Sequence, residues 1–119
     1  MVILIVDGSV QVVERLATML TEPGKKRTIY KALTYTEAVF ILEEQWPVLV
    51  LLDRYLPENK SIELLKAIKL ANKNTRVIIL YVFADGNIES HYKLHGADFF
   101  LDKYHDYEMI PGIVDALAV

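Results

Sequence analysis

Val48-Leu49-Val50-Leu51-Leu52-Asp53-Arg54-Tyr55-Leu56-Pro57 is the stretch on which the fold turns. Five consecutive aliphatic residues, Val48–Leu52, read as a strand buried on both faces, the pattern of a parallel sheet with helices on each side. Asp53 ends that strand just before a loop containing Pro57, the place where open α/β sheets put their chemistry. The same signature recurs on either side. Val2-Ile3-Leu4-Ile5-Val6 runs into Asp7, and Phe99-Phe100-Leu101-Asp102 runs into Lys103. Two acids and one lysine thus stand at three strand ends.

The intervening segments carry the helical period. After a strand over Val2–Val6, Ser9 is placed to cap a helix whose Val12, Val13, Leu16, Met19 and Leu20 share a face, and Pro23-Gly24 ends it. A second strand, Thr28–Ala32, is mixed in polarity, as an edge strand is. Thr34-Tyr35-Thr36-Glu37 has capping-box spacing and opens a helix with Ala38, Ile41 and Leu42 on one face, closed by Trp46-Pro47. The Pro57–Lys60 loop leads to Ser61 and a helix burying Ile62, Leu65 and Ile68. A fourth strand, Val77–Phe83, is the most apolar stretch and is expected to be central. Asp85-Gly86-Asn87 turns into a short polar helix that runs to His95 and stops at Gly96-Ala97. A fifth strand, Phe99–Leu101, precedes a last helix over about Tyr107–Leu117. A start near Ile110 puts Pro111 in its first turn, where proline is tolerated. This alternation predicts one domain, residues 1–119, with a flavodoxin-like doubly wound (βα)5 fold: a five-stranded parallel sheet in the order 2-1-3-4-5 inside three α/β/α layers.

Composition narrows the function. The 119-residue chain is 53% hydrophobic and has net charge −3, no cysteine and one basic cluster, Lys25-Lys26-Arg27, following Pro23-Gly24. Disorder, disulfide chemistry and a nucleic-acid-binding face are disfavoured. No apolar run approaches the roughly 18 residues of a membrane span, and the chain enters its first strand without a leader, so a cytoplasmic location is expected. The glycines are scattered without a dinucleotide or Walker-type spacing. Neither Asp7-Gly8-Ser9 nor Asp53-Arg54-Tyr55 has the Asp-x-Asp of a haloacid-dehalogenase phosphatase. His91 and His95, at i and i+4, lack a third ligand and read as a solvated helix face.

In the predicted topology the first and third strands are neighbours about 4.8 Å apart, so Asp7 and Asp53 converge in one crevice. Two close carboxylates call for a cation between them, and a hard divalent ion such as Mg²⁺ suits that place. Lys103 on the far side is a point charge suited to a phosphoryl group. A carboxylate nucleophile, a metal and a lysine make up a phosphoryl-accepting arrangement.

These residues carry a resemblance. Ile3-Leu4-Ile5-Val6-Asp7, Val50 through Pro57, Ile78-Ile79-Leu80, Gly96-Ala97-Asp98 and Phe100-Leu101-Asp102-Lys103 together resemble a bacterial response-regulator receiver domain of the chemotaxis type along essentially the whole chain. The resemblance implies that Asp53 accepts a phosphoryl group from a sensor histidine kinase or phosphotransfer protein. It implies that Asp7, Asp53 and the backbone carbonyl of Tyr55 hold Mg²⁺, and that Lys103 contacts the phosphoryl oxygens. The implied switch positions are Tyr81 and Phe100. The output is contact with a downstream protein through a surface including Ile88–Leu94 and Tyr104–Val119, with Tyr92, Tyr104 and Tyr107 as anchors. Neither direct nucleic-acid nor membrane contact, nor an enzymatic activity, is expected of such a stand-alone receiver.

The departures from the family pattern define the alternative. Gly8 stands where a second acid is usual. Tyr81 replaces a Ser or Thr; a packing aromatic with a tethered hydroxyl is expected there rather than a working switch, the alternatives being a ring that fills the phosphoryl position or reaches toward the space left by Gly8. Tyr104 follows Lys103 where the family prefers proline, so a cis bond is not expected there. A pseudo-receiver, binding partners without taking phosphate, is the competing reading.

Overall fold

β3 (Leu49–Asp53) lies at the middle of a single five-stranded parallel sheet, with every one of its residues buried. The computed structural model describes residues 1–83 and 85–117. Around β3 stand β1 (Val2–Val6), β2 (Thr28–Ala32), β4 (Arg76–Tyr81) and β5 (Phe99–Asp102), in the order β2-β1-β3-β4-β5. The helices are α1 (Val10–Leu20), α2 (Tyr35–Glu44), α3 (Lys60–Ala71), α4 (Gly86–Leu94) and α5 (Ile110–Leu117). The architecture is the expected three-layer α/β/α arrangement, a flavodoxin-like doubly wound sheet.

Strand alternation sorts the core into two halves. Ile3, Ile5, Leu49, Leu51, Ile78, Leu80 and Leu101 face α1 and α5, meeting Val13, Leu16, Ile110 and Val114. Leu4, Val6, Val50, Leu52, Val77 and Ile79 face the other way, onto Ala38, Leu64, Leu65, Ile68 and Tyr92 of α2, α3 and α4. Each of the fully buried Leu and Ile side chains contributes about 1.5–3 kcal/mol by leaving water. β4 is interior but not the middle strand.

Element boundaries shift slightly from the sequence reading. Val48, 44% exposed, precedes β3, although its amide still bonds to Val2. β4 stops at Tyr81, leaving Phe83 78% exposed on the loop beyond it. Ser9 caps α1 as expected, its Oγ accepting from the Val12 amide. Thr34 Oγ1 accepts from the Glu37 amide, but the return arm of the box reaches the amide of Leu33, one residue earlier. On α2 only Ala38 is buried, and Ile41 and Leu42 are half-covered. On α3 the buried residues are Ser61, Leu64, Leu65 and Ile68, and Ile62 is half-exposed. Ser61 does not cap α3. It lies inside the helix, where its hydroxyl donates to the Asp53 carbonyl and accepts from the Leu56 amide, fixing the β3–α3 turn. α5 does begin at Ile110, with Pro111 in its first turn and a short 3-10 turn, Tyr107–Met109, before it. No cis peptide occurs among the described residues.

Gly96 ends α4 with φ +104, a conformation that side-chain-bearing residues avoid. A Cβ there would meet Lys69 Cγ at 2.9 Å. Lys69 cannot move aside freely, because its ammonium holds the Thr75 carbonyl at 2.6 Å and Asp98 at 2.8 Å. Asp98 in turn accepts from the Val77 amide and Arg76, tying α3 and β4 to the start of β5. Gly24, φ +86, has open space around it. Gly96→Ala is therefore expected to lose about 3 kcal/mol, combining backbone strain with a disturbed charged hydrogen bond. Gly24→Ala should lose only about 1 kcal/mol. Urea unfolding midpoints measure both, and equal losses would remove Lys69 from the explanation.

Candidate functional site

Parallel register sets the site. Val6 pairs with Leu52, so the next residues, Asp7 and Asp53, emerge side by side at the C-terminal edge of the sheet. Tyr81 pairs with Asp102, and the Lys103 amide bonds to the Tyr81 carbonyl at 2.8 Å, placing Lys103 just beyond β5. Strand parity adds direction. Asp7 continues the row Ile3-Ile5, Asp53 the row Leu49-Leu51, and Lys103 follows Leu101, all on the face toward α1 and α5.

The three side chains meet in a nearly dry crevice. Asp7 is 1% exposed, Asp53 5% and Lys103 7%. Lys103 Nζ lies 2.7 Å from Asp7 Oδ2 and 2.8 Å from Asp53 Oδ1. Burial alone would push the Lys103 ammonium toward its neutral form; the close carboxylates of Asp53 and Asp7 outweigh it, and the pKa is raised. Burial raises the Asp7 pKa and the Asp53 charge adds to the effect, outweighing Lys103 and the Ser9 amide, which lower it. Each acid also accepts a local amide, Ser9 N–H on Asp7 Oδ1 and Tyr55 N–H on Asp53 Oδ1. Asp7 Oδ2 touches Nζ as an ion contact but accepts no hydrogen bond of good angle.

That buried, under-bonded oxygen and the second carboxylate are oxygen donors of the kind Mg²⁺ accepts, with water completing the shell. The set fits the ion, but it is lean. No group of three or more His, Cys, Asp or Glu converges among the described residues. Gly8 leaves its place open, since a Cβ there would find only the Leu33 carbonyl, at 3.9 Å.

Tyr81 is the packing aromatic that was expected, whereas Tyr92 departs from its expected place. Tyr81 neither fills the crevice nor reaches toward Gly8. It stacks on Phe100, centroids 4.5 Å apart and planes at 17°. Parity explains this, because Tyr81 continues the row Val77-Ile79, which faces α2, α3 and α4. Burial raises the Tyr81 pKa, and the neighbouring charges Asp106, Asp102 and Glu89 raise it further. Tyr92 is not a surface anchor: it is 6% exposed and packs near Phe100, centroids 6.2 Å apart. Tyr107 is half-buried under the guanidinium of Arg15, 4.8 Å away, and Tyr104 stays 53% exposed. The last two residues of the Tyr104–Val119 surface lie outside the described residues.

Two contributions escaped the sequence reading. Arg15 on α1 donates to the Lys103 carbonyl at 3.1 Å, holding the β5–α5 loop from across the sheet. The side chain of Tyr55, of which only the carbonyl was expected to matter, sends its hydroxyl to the amides of Val82 and Phe83. Both contacts join residues far apart in the chain, so no local spacing announces them.

Removing the only ammonium from between two buried carboxylates should be severe, and Lys103→Met is expected to lose about 3–5 kcal/mol in urea unfolding. Asp7→Asn should do the opposite at neutral pH. Asp7 has its pKa raised on folding, so keeping it ionised weighs against the native state above that raised value. The gain in Tm of Asp7→Asn should shrink as the pH falls through that value toward 3.8, the ordinary value of a free Asp. A gain unchanged in acid would contradict this.

Three solved structures show how closely the fold recurs. The signal receiver domain of a DNA-binding response regulator protein from Colwellia psychrerythraea 34H superposes with TM-score 0.90 at 20% identity, covering 98% of this chain and 97% of that one. A two-component response regulator from Clostridium difficile gives 0.88 at 22%, covering 98% and 94%. A CheY-like response regulator receiver domain protein from Methanospirillum hungatei JF-1 gives 0.83 at 24%, covering 98% and 93%. No curated protein sequence matches the chain. The family model of the response regulator receiver domain matches residues 3–115. The chain belongs to that family, the receiver domains of two-component systems.

Proposed function

We propose that this receiver accepts a phosphoryl group on Asp53 from the phosphohistidine of a sensor histidine kinase or phosphotransfer protein, and signals by contact with a downstream protein. The observation that carries the reading is the buried Lys103 bridge to Asp53 and Asp7 at 2.8 and 2.7 Å. Two carboxylates and a fixed positive charge thus share one crevice at the open end of the sheet, which supports a phosphoryl-accepting role. In the transfer, an Asp53 carboxylate oxygen forms a bond to phosphorus as the phosphorus–nitrogen bond of the donor breaks, and the electron pair leaves with the imidazole. Lys103 pairs with the phosphoryl oxygens as they approach, exchanging one anion for another. Mg²⁺ held by Asp7, Asp53 and the Tyr55 carbonyl would neutralise charge on the transferring group.

The Tyr81–Phe100 stack is the switch in this reading. Its rings lie between β4 and β5, beside α4, so any movement of the β4–α4 loop reaches the α4–β5 surface through them.

A pseudo-receiver is the second reading, and a specific observation favours it. Lys103 already neutralises half of the charge that would draw a divalent ion, and Gly8 withholds the other acid. The two readings part in one experiment. Intact-mass measurement after incubation with phosphoramidate and Mg²⁺ should find one added phosphoryl group on the protein and none on Asp53→Asn. Failure to modify the folded protein would leave the pseudo-receiver. Gly8→Asp has room for its side chain and restores a third carboxylate. It should tighten Mg²⁺ binding by about tenfold, a partly screened charge pair being worth about 1–2 kcal/mol. Isothermal titration calorimetry measures it, and unchanged affinity would mean that the ion is not held between Asp7 and Asp53.

A further inference from the structure

The Tyr55 side chain spans the mouth of the crevice. Its hydroxyl oxygen accepts from two successive backbone amides, Val82 at 2.9 Å and Phe83 at 3.3 Å, just beyond β4. Its ring lies 5.6 Å from Lys103 Nζ and 5.1 Å from the Arg54 guanidinium carbon. One aromatic side chain therefore starts two residues after Asp53, passes over the buried ammonium and ends on the β4–α4 loop.

Successive backbone N–H groups converging on one point form a concavity suited to an anion. Here a neutral phenol oxygen fills it. That oxygen is treated like an anion by its surroundings. Burial raises the Tyr55 pKa, but the amides of Val82 and Phe83 and the charge of Arg54 outweigh burial and lower it. Tyr55 is 43% exposed and belongs to neither buried core cluster. Phe83, on the same loop, is 78% exposed.

We propose that the Tyr55 hydroxyl is an internal stand-in for the phosphoryl anion: it latches the Val82 and Phe83 amides in the resting protein and is displaced when an anion is seated on Asp53. The inference rests on the phosphoacceptor reading for its trigger, but the latch itself does not. Displacement releases the β4–α4 loop next to the Tyr81–Phe100 stack, which couples occupancy of the crevice to the α4 surface. Tyr55 is a positioning residue here, acting through the loop amides.

Tyr55→Phe keeps the ring and removes the competitor. With Mg²⁺ present, beryllofluoride should bind this variant about fivefold more tightly than the unaltered protein, the effect of one net hydrogen bond. Amide exchange at Val82 and Phe83 should be faster in the unliganded variant. A merely structural tie predicts faster exchange with equal or weaker beryllofluoride binding, and that result would overturn the inference. If neither protein binds beryllofluoride, the phosphoacceptor reading fails. The displacement step then fails with it, whereas binding to both proteins with equal or weaker affinity in Tyr55→Phe overturns the latch alone.

Discussion

One buried ammonium holds the functional end of this molecule together. Asp7 and Asp53 are forced into proximity by the pairing of β1 with β3, and both are almost wholly removed from water. Without a cation, two ionised carboxylates in such a place would repel each other and lose their hydration. Lys103 supplies the charge, and several distant features exist to deliver it. β5 carries it to the sheet edge, Arg15 grips its carbonyl from α1, and Asp102 and Asp106 tie down the loop that follows. Ser61 fixes the turn after Asp53 by holding that residue's carbonyl.

This geometry describes a resting state in which each anionic position is already answered. The ammonium stands between the acids. The phenol of Tyr55 occupies the loop amides, and Gly8 keeps local negative charge low. On the proposed phosphoacceptor reading, a phosphoryl group would not fill an empty pocket; it would exchange partners with groups that are already satisfied. The strength of response is then set by differences between competing contacts, which single side chains such as Gly8 and Tyr55 can tune. The aromatic stack of Tyr81 on Phe100 lies on the other face of the sheet from the acids. Backbone joins that stack to the crevice: the Lys103 amide bonds to the Tyr81 carbonyl, and Val82 and Phe83 follow Tyr81 directly.

Most of the fold could be read directly. The aliphatic runs at β1, β3 and β4 are long enough to mark buried parallel strands, and the helices between them have clear periods and caps. What went astray was local. Ser61 has the look of a helix cap, but it is drawn inward to satisfy the Asp53 carbonyl. Tyr92 lies in a polar helix, yet it faces the sheet and fills space beside Phe100. The site acids and the lysine were visible at their strand ends. The side to which Tyr81 turns was also contained in the sequence, since period-two alternation from Val77 places it opposite the acid row. Arg15 and the Tyr55 hydroxyl could not be read in this way, because their partners lie 88 and 27 positions away and meet them only through the tertiary fold.

The central claim is that Lys103 bridges the two acids as a buried, fully charged ammonium. Nitrogen-detected NMR of the lysine side chains tests it most directly. The account predicts one ammonium signal that exchanges slowly with water and shifts when Asp53 is replaced by Asn. Lysine signals that all exchange rapidly and ignore Asp53→Asn would contradict it.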